Sequence, residues 1–221
     1  MAERLKSSRY KGKPRAAVST SPLTKTVSVS ASSSSHSHGE STSVNLFCSS
    51  HTETKTYHWG PCPTPKVQPN FNLQQYLGRW YEIEKLPASF ERGKCIEANY
   101  AVRADGTIQV LNRQFYKDKM RSIEGTAILP DSRDPAKLGV SFSFFTPYGT
   151  YWILSTDYTS VSVVYSCTDF LRIFHVDYAW ILSRSRFLPT DTLRYAKNLL
   201  IGEGIDLFKM KRTDQFGCKD D

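Results

Sequence analysis

Hydrophobic and polar residues alternate in short runs along most of the chain. The clearest run is KLGVSFSFF, in which Leu138, Val140, Phe142 and Phe144 alternate with small or polar residues. Period-two alternation is typical of a β-strand with one buried face. Runs of this kind begin at Trp80 and recur about every ten residues, which predicts eight strands in an antiparallel sandwich or barrel.

Two helical patterns accompany these strands. NLQQYLG predicts one short turn that ends at Gly78. PTDTLRYAKNLLIGEG predicts an amphipathic helix capped by Thr190 or Asp191 and stopped by Gly202 and Gly204. Such a helix has a single apolar face, so we expect it to pack on the outside of the strands.

The predicted inner faces of the strands are unusually aromatic. They present Tyr100, Phe142, Phe144, Phe174, Tyr178 and Trp180, together with the polar side chain of Asn112. Eight strands closed on themselves leave room for packed side chains or for one small ligand. An aromatic lining with one or two polar groups suits a pocket for a hydrophobic ligand. Periodicity alone leaves a filled core and a ligand pocket equally open.

Composition divides the chain near residue 60. Residues 1–60 are rich in Ser, Thr, Lys and Arg and contain few aromatic residues, so they cannot offset their own ordering entropy. We predict a disordered tail over 1–60 and one folded domain over 61–221. Of the net charge of +8, the tail has eight Lys or Arg against three Glu, a net of +5. Its basic cluster is typical of solvated disorder, and no nucleic-acid partner is expected.

Cysteine usage indicates an oxidising compartment. Cys62, Cys95, Cys167 and Cys218 are scattered through the predicted domain without the CxxC spacing of a zinc site. An even number of cysteines in a small β-rich domain predicts two disulfides, although four cysteines allow three pairings. The N-terminus lacks the apolar stretch of a secretory signal and resembles, more weakly, a transit peptide. Because disulfide chemistry constrains the fold, we expect a secreted protein.

Three short motifs resemble the signature regions of the lipocalin family. The motifs lie in order along the chain and consist of Gly78 and Trp80, then Thr156, Asp157 and Tyr158, and finally Arg184. A GxW motif alone is weak, whereas three motifs in order with matching cysteines are specific. The resemblance covers essentially all of residues 61–221, and the first 60 residues have no counterpart.

The resemblance implies an all-β fold. It implies an eight-stranded antiparallel up-and-down barrel, closed at one end, with one C-terminal helix packed outside. Trp80 would lie at the closed end with Arg184 packed across its indole, a structural contact between a cation and a π face. The disulfides that it implies are Cys62–Cys167 and Cys95–Cys218.

The same resemblance implies binding and transport of a small hydrophobic molecule such as a steroid or fatty acid. Trp180 would be the main stacking surface and Asn112 a hydrogen-bond partner, with further lining from Tyr100, Phe142, Phe144 and Tyr178. No metal or cofactor is expected, because burial of apolar ligand area supplies the affinity. Exposed apolar residues on the mouth loops predict docking onto a lipid particle or membrane, unless they fold inward; they are Leu86, Phe90, Phe145 and Tyr148.

Two other classes of function compete with a carrier. A few lipocalins isomerise lipid peroxides with a free thiol, but all four barrel cysteines have a predicted partner, so we expect no enzyme. His175 and Asp177 in HVD alternate outward, where a solvated strand face is the simpler interpretation. The third class is an interaction protein that acts through its tail, where SHSHG and the unpaired Cys48 lie.

Glu82 and Glu84 conflict with the simple strand pattern. Strict alternation from Trp80 places both carboxylates on the side of the indole, and a buried unpaired carboxylate is costly. Basic partners, a β-bulge or a wet region of the lumen would each resolve the conflict.

Overall fold

The computed structural model describes residues 56–219. Residues 1–55, 220 and 221 lie outside the described residues. The predicted disordered tail up to residue 55, Cys48 and the histidines of SHSHG therefore fall outside as well. The strand β1 (Thr56–Trp59) precedes the domain boundary that composition indicated near residue 60.

Two helices and nine further strands follow β1. In chain order they are α1 (Leu73–Tyr76), β2 (Gly78–Lys85), β3 (Lys94–Val102), β4 (Ile108–Tyr116), β5 (Lys119–Ile128), β6 (Lys137–Ser141), β7 (Gly149–Thr156), β8 (Val161–Phe170), β9 (Phe174–Ser183), α2 (Thr190–Gly202) and β10 (Lys211–Arg212). Each strand from β2 to β8 pairs antiparallel with the next, and β9 also pairs with β2. The result is the closed eight-stranded barrel that the alternation and the lipocalin resemblance predicted.

Strand β1 extends the barrel at the place where β2 and β9 part, and β10 pairs with the end of β2 through Lys211 and Arg212. β1 pairs with the first half of β9, from Thr56 opposite Asp177 to Trp59 opposite Phe174. β2 pairs with the second half of β9, from Trp180 to Ser183. β1 therefore continues the wall at the open end, where β2 no longer contacts β9.

Helix α2 packs on the outside of the barrel, as its single apolar face predicted. It buries Ala196 and Leu200 in a hydrophobic core shared with the outward side chains of β8 and β9. The residue before its first turn is Pro189, and no side chain caps the helix, so the caps predicted at Thr190 and Asp191 are wrong. A second core fills the closed end of the barrel interior.

The closed end is organised around Trp80, which is 0% exposed. Its indole Nε1 donates a 2.8 Å hydrogen bond to the carbonyl of Tyr76. The guanidinium of Arg184 lies 3.8 Å from the centre of the indole ring and donates to the carbonyls of Arg79 and Tyr158. Gly78 has a φ of 92°. Glycine adopts this angle without strain because it has no Cβ, and the resulting turn leads into Trp80.

The TDY motif forms the turn between β7 and β8. Asp157 accepts hydrogen bonds from the backbone N–H groups of Thr159, Ser160 and Val161. Burial acts to raise the pKa of Asp157, but these bonds and the Ser160 hydroxyl prevail and lower it. The Tyr158 hydroxyl accepts from the backbone N–H of Asn72 and so joins this turn to helix α1.

Both disulfides have the pairing that the resemblance implied. Cys62–Cys167 joins the proline-rich arm to β8, and Cys95–Cys218 joins β3 to the C-terminal segment. Each bond closes a loop of more than a hundred residues, with sequence separations of 105 and 123. Long closed loops lose the most conformational entropy in the unfolded chain, so both bonds stabilise the barrel.

A β-bulge in β2 resolves the conflict over the two glutamates. Glu82 pairs with Leu182 and Glu84 pairs with Ile181, so Ile83 is the extra residue. Glu84 points outward, where its Oε2 lies 2.7 Å from Nζ of Lys197 on α2. Glu82 keeps the inward direction that alternation predicted and needs a partner inside the barrel.

Candidate ligand-binding site

The open half of the barrel contains a cavity of about 460 Å³, which we call the lumen. This volume lies within the range of about 300–1,000 Å³ that is usual for small-molecule sites. Five of the six side chains predicted to bind ligand line it, namely Tyr100, Asn112, Phe142, Tyr178 and Trp180. The sixth, Phe144, does not.

Phe144 is fully exposed, because β6 ends at Ser141 rather than continuing through the alternating run. The Ser141 hydroxyl donates to the carbonyl of Ser143 and turns the chain outward. Placing Phe144 in the lumen was therefore wrong. Phe142 does reach the lumen, where its ring packs over Gly125; a Cβ on that glycine would lie 2.6 Å from the ring.

The aromatic wall of the lumen is joined to a buried group of charges. Nε1 of Trp180 donates a 3.0 Å hydrogen bond to Oε2 of Glu91. Nζ of Lys85 donates to the Glu91 carbonyl at 2.8 Å and lies 3.1 Å from Oε1 of Glu82. Because Glu91 belongs to the loop between β2 and β3, these contacts hold that loop over the lumen.

Glu82 is a buried carboxyl that lines the lumen. Burial, reinforced by the negative charge of Glu91, raises its pKa to about 8, although Lys85 and the Thr213 hydroxyl act in the opposite direction. Glu82 therefore keeps its proton to a higher pH than an exposed glutamate does. In its protonated form the carboxyl is a neutral hydrogen-bonding group in the lumen wall.

Tyrosine hydroxyls form the floor of the lumen. The hydroxyl oxygens of Tyr100 and Tyr151 are 2.6 Å apart, and that of Tyr151 is 3.4 Å from that of Tyr76. The Tyr76 hydroxyl lies 3.1 Å from the Ser162 hydroxyl. Burial raises the pKa of all three tyrosines, which keeps them neutral. The floor can thus offer hydrogen bonds without charge.

Asn112 leaves one acceptor unused. Its Oδ1 is buried and has no hydrogen-bond partner in the described structure, while its side chain faces the lumen. A buried acceptor without a partner costs free energy until a ligand donor satisfies it.

The mouth loops agree only partly with the sequence prediction. Phe90, Phe145 and Tyr148 are exposed. Leu86 is 0% exposed and packs in the core beneath helix α2. Its backbone N–H donates to the carbonyl of Ala179, which keeps Leu86 on the barrel wall. Assigning Leu86 to the mouth was wrong, and fully exposed Phe144 lies there instead.

A second cavity of about 620 Å³ lies beside the lumen on the β4 and β5 side of the mouth. It shares Phe90, Asn112 and Phe142 with the lumen and adds Arg121 and Ile123. We call it the outer pocket. It extends the apolar surface of the lumen toward the mouth.

The outward face of HVD is not solvated, contrary to the sequence interpretation. His175 and Asp177 are 7% and 2% exposed because β1 covers them. The ring of His58 on β1 stacks on His175, and its Nε2 lies 3.4 Å from Oδ1 of Asp177 without hydrogen-bond alignment. Burial raises the pKa of Asp177. This group lies outside the lumen.

Sequence reasoning missed Tyr151 and Glu91 as lumen residues. Tyr151 and Ile153 are two positions apart in TYWILSTDY, so period two places both on the same face. The inward direction of Tyr151 could therefore have been predicted. For Glu82, a wet region of the lumen was one of three explanations that the sequence left open, and the side chain does line the lumen. Glu91 lies in an irregular loop, where periodicity gives no direction.

Comparison with known proteins gives the class of this barrel. Residues 71–215 match the Lipocalin-like domain. The chain therefore belongs to the lipocalin family, and its lumen is a site for small hydrophobic ligands.

Within this family the chain is similar to Apolipoprotein D. It is 50% identical over 167 residues to Apolipoprotein D of Mus musculus, which covers 75% of this chain and 88% of that protein. It is 48% identical over 172 residues to Apolipoprotein D of Cavia porcellus, which covers 77% and 91%. The solved structure of insecticyanin from the tobacco hornworm Manduca sexta matches with a TM-score of 0.65 and 29% identity, over 74% of this chain and 91% of that chain.

Within residues 56–219 every cysteine is engaged in a disulfide. The same part of the chain contains no helix that is long and apolar enough to cross a membrane.

Proposed function

We propose that this protein is a secreted carrier that binds a steroid, fatty acid or related lipid reversibly in its lumen. Trp180 is the stacking surface, Tyr100, Phe142 and Tyr178 are the remaining aromatic wall, and Asn112 is the hydrogen-bond partner. The observation that carries the proposal is an open cavity of about 460 Å³ with an aromatic wall and an unsatisfied buried acceptor.

Burial of apolar area is sufficient for useful affinity. Each 100 Å² of apolar ligand surface removed from water contributes about 2.5 kcal/mol. Micromolar binding requires about 8 kcal/mol after the loss of ligand freedom has been offset. A rigid ligand of sterol size loses little internal freedom, so it reaches this range without any chemical step.

The test is a titration of tryptophan fluorescence with steroids, retinoids and fatty acids. Of the four tryptophans, Trp180 lines the lumen, Trp80 is buried at the closed end, Trp152 packs against the core shared with α2, and Trp59 is 87% exposed. Ligand should quench the wild type and leave Trp180→Phe with little response. The proposal fails if no ligand of these classes quenches the wild type at micromolar concentration.

Docking onto a lipid particle or membrane completes the proposal. Phe90, Phe144, Phe145 and Tyr148 surround the lumen entrance and expose apolar rings to water. Exposed apolar residues around a ligand site are typical of an interaction surface. Contact with lipid would cover these rings and allow an apolar ligand to pass without crossing water. Phe144→Ser with Phe145→Ser should reduce lipid binding and preserve ligand binding in solution.

Secretion is proposed from the two disulfides, since such bonds persist in oxidising compartments. The protein isolated from its source should contain both bonds intact, as measured by mass spectrometry without reduction. A thiol-dependent isomerase has no support in the described residues, where Cys62, Cys95, Cys167 and Cys218 are all paired.

A further inference from the structure

Positive charge is concentrated beside one side of the barrel mouth. The hairpin between β4 and β5 has the sequence QFYKDKMR over residues 114–121, with Asp118 as its one acidic residue. Lys94 on β3 lies next to this hairpin, with Nζ 5.7 Å from the ring of Phe115. We call Lys94, Lys117, Lys119 and Arg121 the basic tip.

The geometry of the hairpin holds these cations in place. Lys117 and Asp118 have φ angles of 51° and 57°, which form a tight two-residue turn. The Lys117 ammonium and the Arg121 guanidinium each lie 5.6 Å from the ring of Tyr116. Lys117, Lys119 and Arg121 are all exposed. The basic tip thus presents three exposed cations, two of which contact the ring of Tyr116.

The basic tip adjoins the exposed rings of the mouth. Gln114 accepts hydrogen bonds from the backbone N–H groups of Arg92 and Gly93 and donates to the carbonyl of Phe90. These bonds fix the loop that contains Phe90 to strand β4. Phe90 and Phe142 both line the outer pocket together with Arg121. We call Phe90, Phe144, Phe145 and Tyr148 the aromatic rim; it and the basic tip lie at the same end of the barrel.

The closed end has a different charge arrangement. In the loop between β5 and β6, Arg133 lies 2.7 Å from Asp131, and Lys137 at the start of β6 lies 2.7 Å from Asp134 in that loop. Both of these cations are neutralised by adjacent carboxylates. The hairpin of the basic tip, in contrast, has Asp118 as its one acidic residue, which favours attraction of anions at the mouth.

We infer that the basic tip and the aromatic rim together dock on a bilayer that contains anionic phospholipid. The inference rests on the docking part of the proposed function and adds the chemistry of the headgroup. Cations next to apolar rings match the boundary where anionic headgroups meet acyl chains. A soluble polyanion would engage the cations and leave the exposed rings of Phe144 and Phe145 without a partner. A neutral lipid particle would leave the cations of the basic tip without a partner.

The experiment measures binding of the full chain to phosphatidylcholine vesicles with and without phosphatidylserine. The test variant is Lys117→Gln with Lys119→Gln, which removes two cations that line neither the lumen nor the outer pocket. Arg133→Gln with Lys137→Gln is the matched control at the closed end. The basic residues 1–60 are common to all three proteins, so differences between them report on the barrel.

Each cation near an anionic surface is worth about fivefold in affinity, so the test variant should bind serine-containing vesicles about 25-fold more weakly. The control should bind like the wild type, and raised salt should bring the wild type toward the test variant. All three proteins should bind neutral vesicles equally and show the same ligand quenching.

Equal wild-type binding to neutral and anionic vesicles would overturn the inference and leave docking through the aromatic rim intact. Vesicle binding that survives in the test variant while retention on heparin is lost would also overturn it, in favour of a soluble polyanion. Loss of binding to both vesicle types in Phe144→Ser with Phe145→Ser tests the proposed docking separately.

Discussion

The indole of Trp180 donates a hydrogen bond to the carboxylate of Glu91, 3.0 Å away. This bond joins the main aromatic surface of the lumen to the loop that lies above it. Lys85 contacts both Glu91 and Glu82. A substitution at Glu91 in the loop therefore alters the electrostatic environment of Glu82 in the lumen.

Removing the charge of Glu91 should lower the pKa of Glu82. Glu91→Gln retains an acceptor for the Trp180 indole but no longer repels the Glu82 carboxylate, whose pKa of about 8 it helps to raise. The measurement is NMR titration of the Glu82 carboxyl carbon in both proteins. An unchanged midpoint would mean that the charge of Glu91 does not act on Glu82.

Stability should depend on pH through Glu82. The folded protein retains a proton that the unfolded chain releases near pH 4.5, so this contribution is complete below about pH 4.5 and is lost as pH rises to about 8. Over that window the free energy of unfolding should fall by at most about 1.4 kcal/mol per pH unit from this group. Glu82→Gln should remove that slope, as measured by urea unfolding at several pH values.

Glu124→Gln is the control for this pH series. Hydrogen bonds from Gln109 and Arg103 lower the pKa of Glu124, so its removal should change the slope with the opposite sign, at lower pH. A constant difference between the wild type and Glu82→Gln from about pH 5 to 8 would contradict the assignment.

Trp80→Ala should cost stability before it costs binding. The side chain is fully buried and supports Arg184, so we expect a loss of about 3–5 kcal/mol in the free energy of unfolding. Ligand quenching of Trp180 in the molecules that remain folded should persist. Trp59→Ala, at an exposed position, is the control and should change stability little. Lost binding with unchanged stability would show that Trp80 acts in the site.

Leu86 and Phe144 should behave in opposite ways. Leu86→Ala removes a fully buried side chain beneath helix α2 and should cost about 2–5 kcal/mol without weakening vesicle binding. Phe144→Ser changes an exposed side chain, so its stability should remain within about 0.5 kcal/mol while vesicle binding falls. Thermal unfolding and vesicle flotation on the same samples separate the two effects. Equal vesicle binding by both variants would contradict the placement of Leu86 in the core and of Phe144 at the mouth.

Much of the fold was readable because strand alternation is a local property. Inward Tyr100, Tyr178 and Trp180 followed from period two, and helix α2 followed from its single apolar face. Strand β1 was missed because its four residues are stabilised by pairing with β9, more than a hundred positions away. Phe144 was misplaced because alternation continues in the sequence after hydrogen bonds at Ser141 have turned the chain.

The disulfide pairing and the position of Glu91 could not be predicted from residue patterns alone. Spacing allowed three pairings of Cys62, Cys95, Cys167 and Cys218, and only the family resemblance chose between them. Glu91 could not be assigned, because its direction depends on contacts with Lys85 and Trp180 that form only in the folded barrel.

The bulge at Ile83 also decides which charge enters the barrel. Under strict alternation, Glu82 and Glu84 would both point inward and Lys85 would point away. With one extra residue, Glu84 turns toward Lys197, and Lys85 takes the inward position opposite Trp180. A single inserted position thus exchanges an anion for a cation beside the ligand site. When Glu82 is protonated, the positive charge of Lys85 and the negative charge of Glu91 compensate each other. The barrel can then hold an apolar ligand without an uncompensated charge.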